Sequence, residues 1–349
     1  MSRAAAIEAF LAASGWEAAA RTPLAGDASR RRYTRLSGRN GAAAVLMDAP
    51  PSRGEEVRPF LRLAGYLRGL GFSAPEIYAA DSAQGLLLIE DLGDALFARV
   101  VERDPDAEAP LYRAATDLLA ALQAHPPPAD APAYGLAEMA DRVRLAALWY
   151  RPGLAGRAPG PADADAADAL EHAARAVLEA HAPARPVLAL RDYHAENLIW
   201  LPGRKGHARV GLLDFQDAAA GHPAYDLVSL IEDARRDVPE ALHGAMIARS
   251  AAATGAEPAA LAAACAVLGA QRALRILGVF ARLSLRDGKP AYAALIPRVW
   301  GLLRRDLAHP ACASLRDAAD RLLPAPDAAA LERLRARAGT VDDPAPAAP

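Results

Sequence analysis

Cysteine is scarce in this chain: Cys265 and Cys312 are the only two in 349 residues, and both sit among Ala and Leu. A disulfide framework or a zinc site needs more cysteines at closer spacing, so neither is expected to organise the fold. Charge of one sign is also lacking. Lys and Arg number 40 against 42 Asp and Glu, a net charge of −2, which gives no case for sequence-independent nucleic-acid binding through a basic face. No run reaches about 18 apolar residues without a charge, so no membrane-spanning helix is expected. Residues 1–15 lack a basic start followed by an unbroken apolar stretch, and Glu8 interrupts them, which argues against a signal peptide. These absences together lead to the expectation of a soluble, cytoplasmic protein. What is abundant is small and apolar. Hydrophobic residues make up 53% of the chain, and much of that share is alanine, which buries little area per residue and favours helix. The length suits one large domain or two lobes.

The organisation changes near residue 90. Residues 1–20 read as an amphipathic leading helix. Residues 26–36 form a glycine-led turn with arginines that runs into a strand. Residues 42–47 are a short apolar run that stops at Asp48, Pro50 and Pro51. Residues 55–70 predict a helix whose Val57, Phe60, Leu61, Ala64 and Leu67 keep to one stripe. Residues 75–79 and 86–90 read as strands. Asp91-Leu92-Gly93 breaks the pattern, and the chain beyond it is mainly helical. Leu111, Ala115, Leu118, Leu119 and Leu122 form a second stripe, ended by Pro126-Pro127-Pro128. Residues 157–165 read as a surface loop, and residues 240–335 as helical. This gives a small α+β lobe over 1–90, a larger, mainly helical lobe over 91–335, and a disordered Ala/Pro-rich tail over 336–349.

Two apolar runs, residues 187–190 and 210–213, each lead into an aspartate. The first continues as Arg191-Asp192-Tyr193-His194-Ala195-Glu196-Asn197 and the second as Asp214-Phe215-Gln216-Asp217, at a separation that suits a hairpin. Phosphoryl transfer needs a carboxylate near the attacking hydroxyl, oxygen ligands for Mg²⁺, and a clamp on the phosphates. Magnesium takes oxygen donors and keeps several waters. An Asp and an Asn on one loop, followed by a second Asp after a later strand, match the kinase catalytic loop and its metal-binding Asp-Phe-Gly.

The chain here resembles the aminoglycoside phosphotransferase family of the protein-kinase-like fold. The family's His-Gly-Asp-x-His-x-x-Asn loop matches at Asp192, His194 and Asn197. Its metal motif matches at Asp214-Phe215, and its downstream Pro-x-x-Asp-Leu at Pro223-Ala224-Tyr225-Asp226-Leu227. Within the family, Gly26-Asp27-Ala28-Ser29, Arg31-Arg32-Tyr33, Met47-Asp48-Ala49-Pro50-Pro51 and Gln216-Asp217-Ala218 look like bacterial anomeric kinases of N-acetylmuramate and N-acetylglucosamine, enzymes of peptidoglycan recycling. Gln271-Arg272 through Arg282-Leu283 and Arg286-Asp287-Gly288-Lys289 add to that likeness, which spans roughly residues 20–310. It implies a bilobal α+β fold, with an antiparallel sheet in a small N-terminal lobe and a larger, mainly helical C-terminal lobe.

Carried over by position, the resemblance makes Asp192 the catalytic base, and Asn197 and Asp214 the Mg²⁺ ligands. ATP is expected against Gly26 and Ser29 of a phosphate-covering turn, and against Glu90 and Leu92 at an adenine hinge. The family's N-lobe lysine has no counterpart in Val45-Leu46-Met47-Asp48. Arg31 and Arg32 are both candidates for its charge, and Glu55 or Glu56 for that cation's partner. Asp217 is a helix cap or a ligand to substrate hydroxyls, while His194 and Asp226 suit braces of the loop. Trp149, Tyr150 and Trp300 are expected in the core. The segment after residue 270 carries Arg272, Arg275, Arg282, Arg286, Lys289 and Arg298, opposed before residue 300 only by Asp287. Arg272 and Arg275 are three apart and share a helix face. Arg275 is the leading candidate to meet the carboxylate of N-acetylmuramate. No nucleic-acid or membrane partner is expected.

Overall fold

The computed structural model describes residues 2–24, 31–183 and 185–342. In chain order the first elements are α1 (Arg3–Ala13), β1 (Ala20–Pro23), β2 (Arg32–Ser37), β3 (Ala43–Asp48), α2 (Arg58–Gly69), β4 (Ile77–Asp81) and β5 (Leu86–Glu90). Helices α3 (Phe97–Arg103), α4 (Glu108–Gln123), α5 (Leu136–Arg142), α6 (Arg151–Leu154) and α7 (Pro161–Ala180) follow. Four short strands come next: β6 (Val187–Ala189), β7 (Leu198–Trp200), β8 (Val210–Leu212) and β9 (Ala219–Gly221). The chain closes with α8 (Tyr225–Ile231), α9 (Glu240–Thr254), α10 (Pro258–Leu285), α11 (Ile296–Leu307), α12 (Ala313–Leu322) and α13 (Ala328–Ala336).

Two compact units result. The first comprises residues 1–118 and 192–218; the second comprises residues 119–191 and 219–349. This division does not follow the 90/91 boundary expected from composition, because residues 91–118 and the two signature segments belong with the N-terminal sheet. That sheet is antiparallel throughout, in the order β1-β2-β3-β5-β4. Strand alternation gives it two distinct faces. One face presents Leu36, Ala44, Leu46, Leu86 and Leu88, which pack around Leu11 of α1. The leading helix is shorter than the 1–20 expected, since Gly15 takes φ 74°, a left-handed conformation that stops a helix at little cost to glycine.

Within the first unit, β7 and β8 form the hairpin foreseen between the two aspartates, with Ile199 opposite Gly211. Ser73 ties this hairpin down. Its carbonyl accepts from Leu212 N at 2.9 Å, and its hydroxyl donates to Ala208 O at 2.7 Å. Phe215 stacks on Phe60 of α2 with ring centroids 4.9 Å apart. The stripe Leu111, Ala115, Leu118, Leu119 and Leu122 on α4 is fully buried, as its periodicity predicts.

The second unit is built around α10. This helix is long and apolar enough to cross a membrane, yet 67% of its most apolar window is buried, the behaviour of a core helix. Trp149 and Tyr150 are buried, and Tyr150 stacks on Trp300 at 5.9 Å. Both cysteines are buried thiols; burial pushes Cys312 up to about 12. The loop expected over 157–165 is a correction: α7 already begins at Pro161. Proline fits the first helical turn, and Asp163 there accepts from Gly160 N at 2.8 Å. Residues 337–342 are described and bonded, with Gly339 N donating to Ser284 O at 3.1 Å and Val341 N to Leu285 O at 3.2 Å. The remainder of the tail, 343–349, lies outside the described residues.

Candidate active site

In the first unit, the loop between residues 192 and 197 folds on itself. Asn197 Nδ2 donates to Asp192 O at 2.9 Å and lies 3.3 Å from His194 Nε2. The described hydrogen bonds of the Asn197 amide use its nitrogen. Tyr193 anchors the loop from below: its hydroxyl donates to Ala115 O at 2.9 Å. His194 is 8% exposed and sits within this loop, in keeping with a brace.

The second aspartate is brought alongside by one backbone bond, Leu213 N to Asn197 O at 3.0 Å. Asp214 follows directly and adopts φ 54°. A non-glycine residue in the left-handed region is uncommon, Asp being better tolerated there than most. Such conformations cluster where a side chain must be aimed. Gln216 completes the arrangement, since its Nε2 donates to Asp214 Oδ1 at 2.8 Å and lies 3.4 Å from Asp217 Oδ2. In the sequence Gln216 stands where the Asp-Phe-Gly motif has glycine, which by itself gives it no role. A side-chain amide two residues after the candidate metal ligand Asp214 was the available signal. Asp217 is exposed and Asp192 and Asp214 are half-buried.

The donor set suits magnesium. Among the described residues no cluster of three or more His, Cys, Asp and Glu stands ready to hold a metal alone. One carboxylate, Asp214, and one amide oxygen, Asn197, are what Mg²⁺ takes from protein when phosphates and water fill the rest of its octahedron.

The arginine pair at β2 separates clearly. Arg31 Nε donates to Glu55 Oε2 at 2.8 Å, with both side chains mostly covered. Arg32 is exposed, as is Glu56. Tyr33 lies between Arg31 and Asp214 in electrostatic terms. Burial raises its hydroxyl above the ordinary phenol value, the Arg31 guanidinium opposes that rise, and the Asp214 carboxylate adds to it. At the end of β5, the Glu90 N–H donates to Glu76 O at 2.8 Å, and its carboxylate is engaged by Arg204 and Arg68. Leu92 is buried and its backbone makes no hydrogen bond among the described residues. Arg35 fixes the segment around it, gripping Asp91 at 2.6 Å and Asp94 at 2.7 Å. Gly26 and Ser29 lie outside the described residues.

In the second unit, buried Asp226 accepts from Leu190 N at 2.6 Å and Arg191 N at 2.8 Å, the two residues that precede Asp192 in the chain. Arg191 is held at φ 73°. Its guanidinium lies 4.6 Å from the Tyr134 ring centre, and Arg272 lies 5.7 Å from the Tyr225 ring centre. Arg272 is 6% exposed and donates to Ser229 Oγ at 2.8 Å. Burial alone would raise the Tyr225 hydroxyl. The charges of Arg275, Arg272 and Arg191 outweigh it and hold the group below its usual value. The basic run seen in sequence is therefore divided. Arg286 pairs with Asp287 and Arg298 with Asp237, both at 2.6 Å. Arg272 and Arg275 instead gather with Arg191 around two tyrosines.

Residues 20–264 match the sequence profile of the phosphotransferase enzyme family. The chain is 41% identical over 357 aligned positions to the N-acetylmuramate/N-acetylglucosamine kinase of Caulobacter vibrioides, covering 92% of this chain and 97% of that one. It is 35% identical to the kinase of the same name from Pseudomonas putida, covering 81% and 82%. Among solved structures, an aminoglycoside phosphotransferase with ADP bound superposes with a TM-score of 0.56 at 12% identity, covering 82% of this chain and 92% of that one. That likeness shows a protein-kinase-like α+β fold. With a profile match over most of its length and the Asp192, Asn197 and Asp214 signature assembled in one unit, the chain belongs to the phosphotransferase enzyme family.

Proposed function

We propose that this enzyme transfers the γ-phosphoryl group of ATP to the anomeric hydroxyl of N-acetylmuramate and N-acetylglucosamine, a step of peptidoglycan recycling. The observation that carries the reading is the Leu213 N to Asn197 O bond, which sets the Asp214 segment beside the loop of Asp192 and Asn197. The relatives named for these two sugars supply the substrate class. Asp192 accepts the proton of the attacking hydroxyl, and Asn197 Oδ1 and the Asp214 carboxylate would hold Mg²⁺. When bound, magnesium would supply neutralisation of the phosphate charge. Gln216 fixes the Asp214 carboxylate, and Asp217 is offered to substrate hydroxyls. The unoccupied backbone of Leu92 suits an adenine edge better than that of Glu90, whose N–H is already taken.

Charge favours the sugar acid over a polycationic antibiotic. An aminoglycoside carries several positive charges and needs carboxylates around it, whereas N-acetylmuramate carries one carboxylate and needs a cation. The group of Arg191, Arg272 and Arg275 supplies cations. ADP release from N-acetylmuramate, N-acetylglucosamine and kanamycin, each with Mg·ATP, tests the proposal. Turnover of both sugars and none of kanamycin is expected. Kanamycin turned over as well as the sugars refutes the substrate assignment. Arg275→Ala is expected to raise KM for N-acetylmuramate about ten- to a hundredfold, the usual worth of an arginine–carboxylate contact, and to spare N-acetylglucosamine. Equal loss of both sugars makes Arg275 structural.

A further inference from the structure

A protein-kinase-like phosphotransferase ordinarily clamps the phosphates of ATP with a lysine on the third strand of its sheet, and that lysine is steadied by a glutamate. Strand β3 here reads Ala-Ala-Val-Leu-Met-Asp and contains none. The register shows what stands in its place. Met47 lies directly opposite Tyr33 of β2, and directly opposed residues point to the same face of a sheet. That face is not the one packed on α1, which takes Leu36, Ala44 and Leu46 instead. Met47 and Tyr33 therefore share the other face, and it is Tyr33 that feels both the Arg31 guanidinium and the Asp214 carboxylate. Met47 is 1% exposed and apolar, so it offers no charge where the lysine is missing.

Arg31 does. Its Nε–Glu55 Oε2 bond of 2.8 Å joins side chains that are only 12% and 14% exposed. Glu55 stands just ahead of α2, whose Phe60 stacks on Phe215 beside Asp214. The bond to Glu55 uses Nε, and the Arg31 guanidinium also meets the Tyr33 side chain. A guanidinium fixed at Nε by a covered carboxylate, next to Tyr33 and tied through Glu55 to the segment leading into the helix whose Phe60 stacks on Phe215, is suited to bind a phosphate oxygen pair. Arg32 cannot share the task from its position. It pairs with Asp48 in the register, on the α1 face, and its side chain is exposed.

We propose that Arg31, steadied by Glu55, is the phosphate clamp of this enzyme, taking from the start of β2 the role that a β3 lysine fills elsewhere. The proposal rests on the ATP-dependent reading above, and its test is nucleotide binding, which does not require the sugar to be known. Calorimetry would compare Mg·ATP and adenosine on the full chain and on Arg31→Met, Arg31→Lys, Glu55→Gln and Arg32→Met. Arg31→Met should weaken Mg·ATP about ten- to a hundredfold, the loss of a charge-assisted phosphate contact, and leave adenosine unchanged. Arg31→Lys and Glu55→Gln should fall between. Arg32→Met and the exposed control Arg39→Ala should bind as the parent does. The double variant Arg31→Met with Met47→Lys restores an ammonium on the same face and should recover affinity for Mg·ATP. Unchanged Mg·ATP affinity in Arg31→Met overturns the proposal, as does equal weakening of ATP and adenosine, which would mark a structural brace. A loss in Arg32→Met instead overturns it too. A parent protein that binds Mg·ATP as expected but phosphorylates no sugar sinks the substrate reading and leaves the clamp standing, whereas a parent that binds no Mg·ATP sinks both.

Discussion

Asp214 pays for its position with a left-handed backbone, φ 54°, of a kind that costs on the order of 1–3 kcal/mol. Asp214→Ala should abolish turnover while leaving the fold intact, because it removes the carboxylate proposed to hold the metal and keeps the hairpin bonds of Ser73. Full activity of the purified variant in Mg²⁺ would contradict that role. Asp192→Asn should lower kcat by roughly 10²–10⁴-fold with ATP affinity little changed. An anomeric hydroxyl is more acidic than an ordinary alcohol, so the lower end of that range is expected. Gln216 acts through its 2.8 Å bond to Asp214. Losing a partner of that kind costs about 10–100-fold in metal affinity or activity, so Gln216→Ala should raise the Mg²⁺ concentration for half-maximal turnover and leave KM for the sugar alone. Asp192, Asn197 and Asp214 were legible in sequence because each lies in a short motif with fixed spacing. Gln216 was not singled out, and Arg31 could not be told from Arg32, because those distinctions depend on where a side chain turns and which sheet face it occupies.

At the scale of elements, strands and long helices followed from pattern, whereas ends and close approaches did not. β5 matches its expected limits, residues 86–90, because its aliphatic run is bounded by Gly85 and Asp91. The start of α7 was missed because Ala, Gly and Pro before Asp163 resemble a loop. What makes that turn helical is tertiary: Asp163 is fully buried and accepts from both Arg151 and Arg157. Asp226 was read as a brace from its motif. Replacing it by Ala strands the N–H groups of Leu190 and Arg191, at roughly 1–3 kcal/mol each, and thermal unfolding should show a matching loss of stability. A second buried carboxyl, Asp306, gives a pH dependence. Burial first, and then the neighbouring Glu232, hold its carboxyl well above the ordinary 3.8. The folded state thus binds more protons than the unfolded state between 3.8 and the raised value, so this group's contribution to stability falls as pH climbs through that window. Asp306→Asn should flatten that fall in urea titrations at successive pH values. A steeper fall in the variant would contradict the assignment. Gly269 of α10 admits the pair, since a Cβ there would stand 2.3 Å from Asp306 Oδ2 and 2.6 Å from Glu232 Oε2.

For the molecule as a whole, a net charge of −2 says nothing of local groupings such as Arg191, Arg272 and Arg275 near Tyr134 and Tyr225. Composition averages over exactly the contrasts that matter for a small anionic ligand. Helix content and the change of character near residue 90 were visible in the sequence. That residues 192–218 belong with the N-terminal sheet was not, because their allegiance is set by long-range bonds such as Leu212 N to Ser73 O. The account turns on phosphate passing to the anomeric oxygen of an amino sugar under the control of Asp192. Phosphorus NMR of the product formed from N-acetylglucosamine and Mg·ATP tests this most directly. The account predicts a sugar 1-phosphate, its phosphorus coupled to the anomeric proton, formed by the parent enzyme and strongly slowed by Asp192→Asn. A 6-phosphate, or a 1-phosphate formed at the same rate by Asp192→Asn, would contradict it.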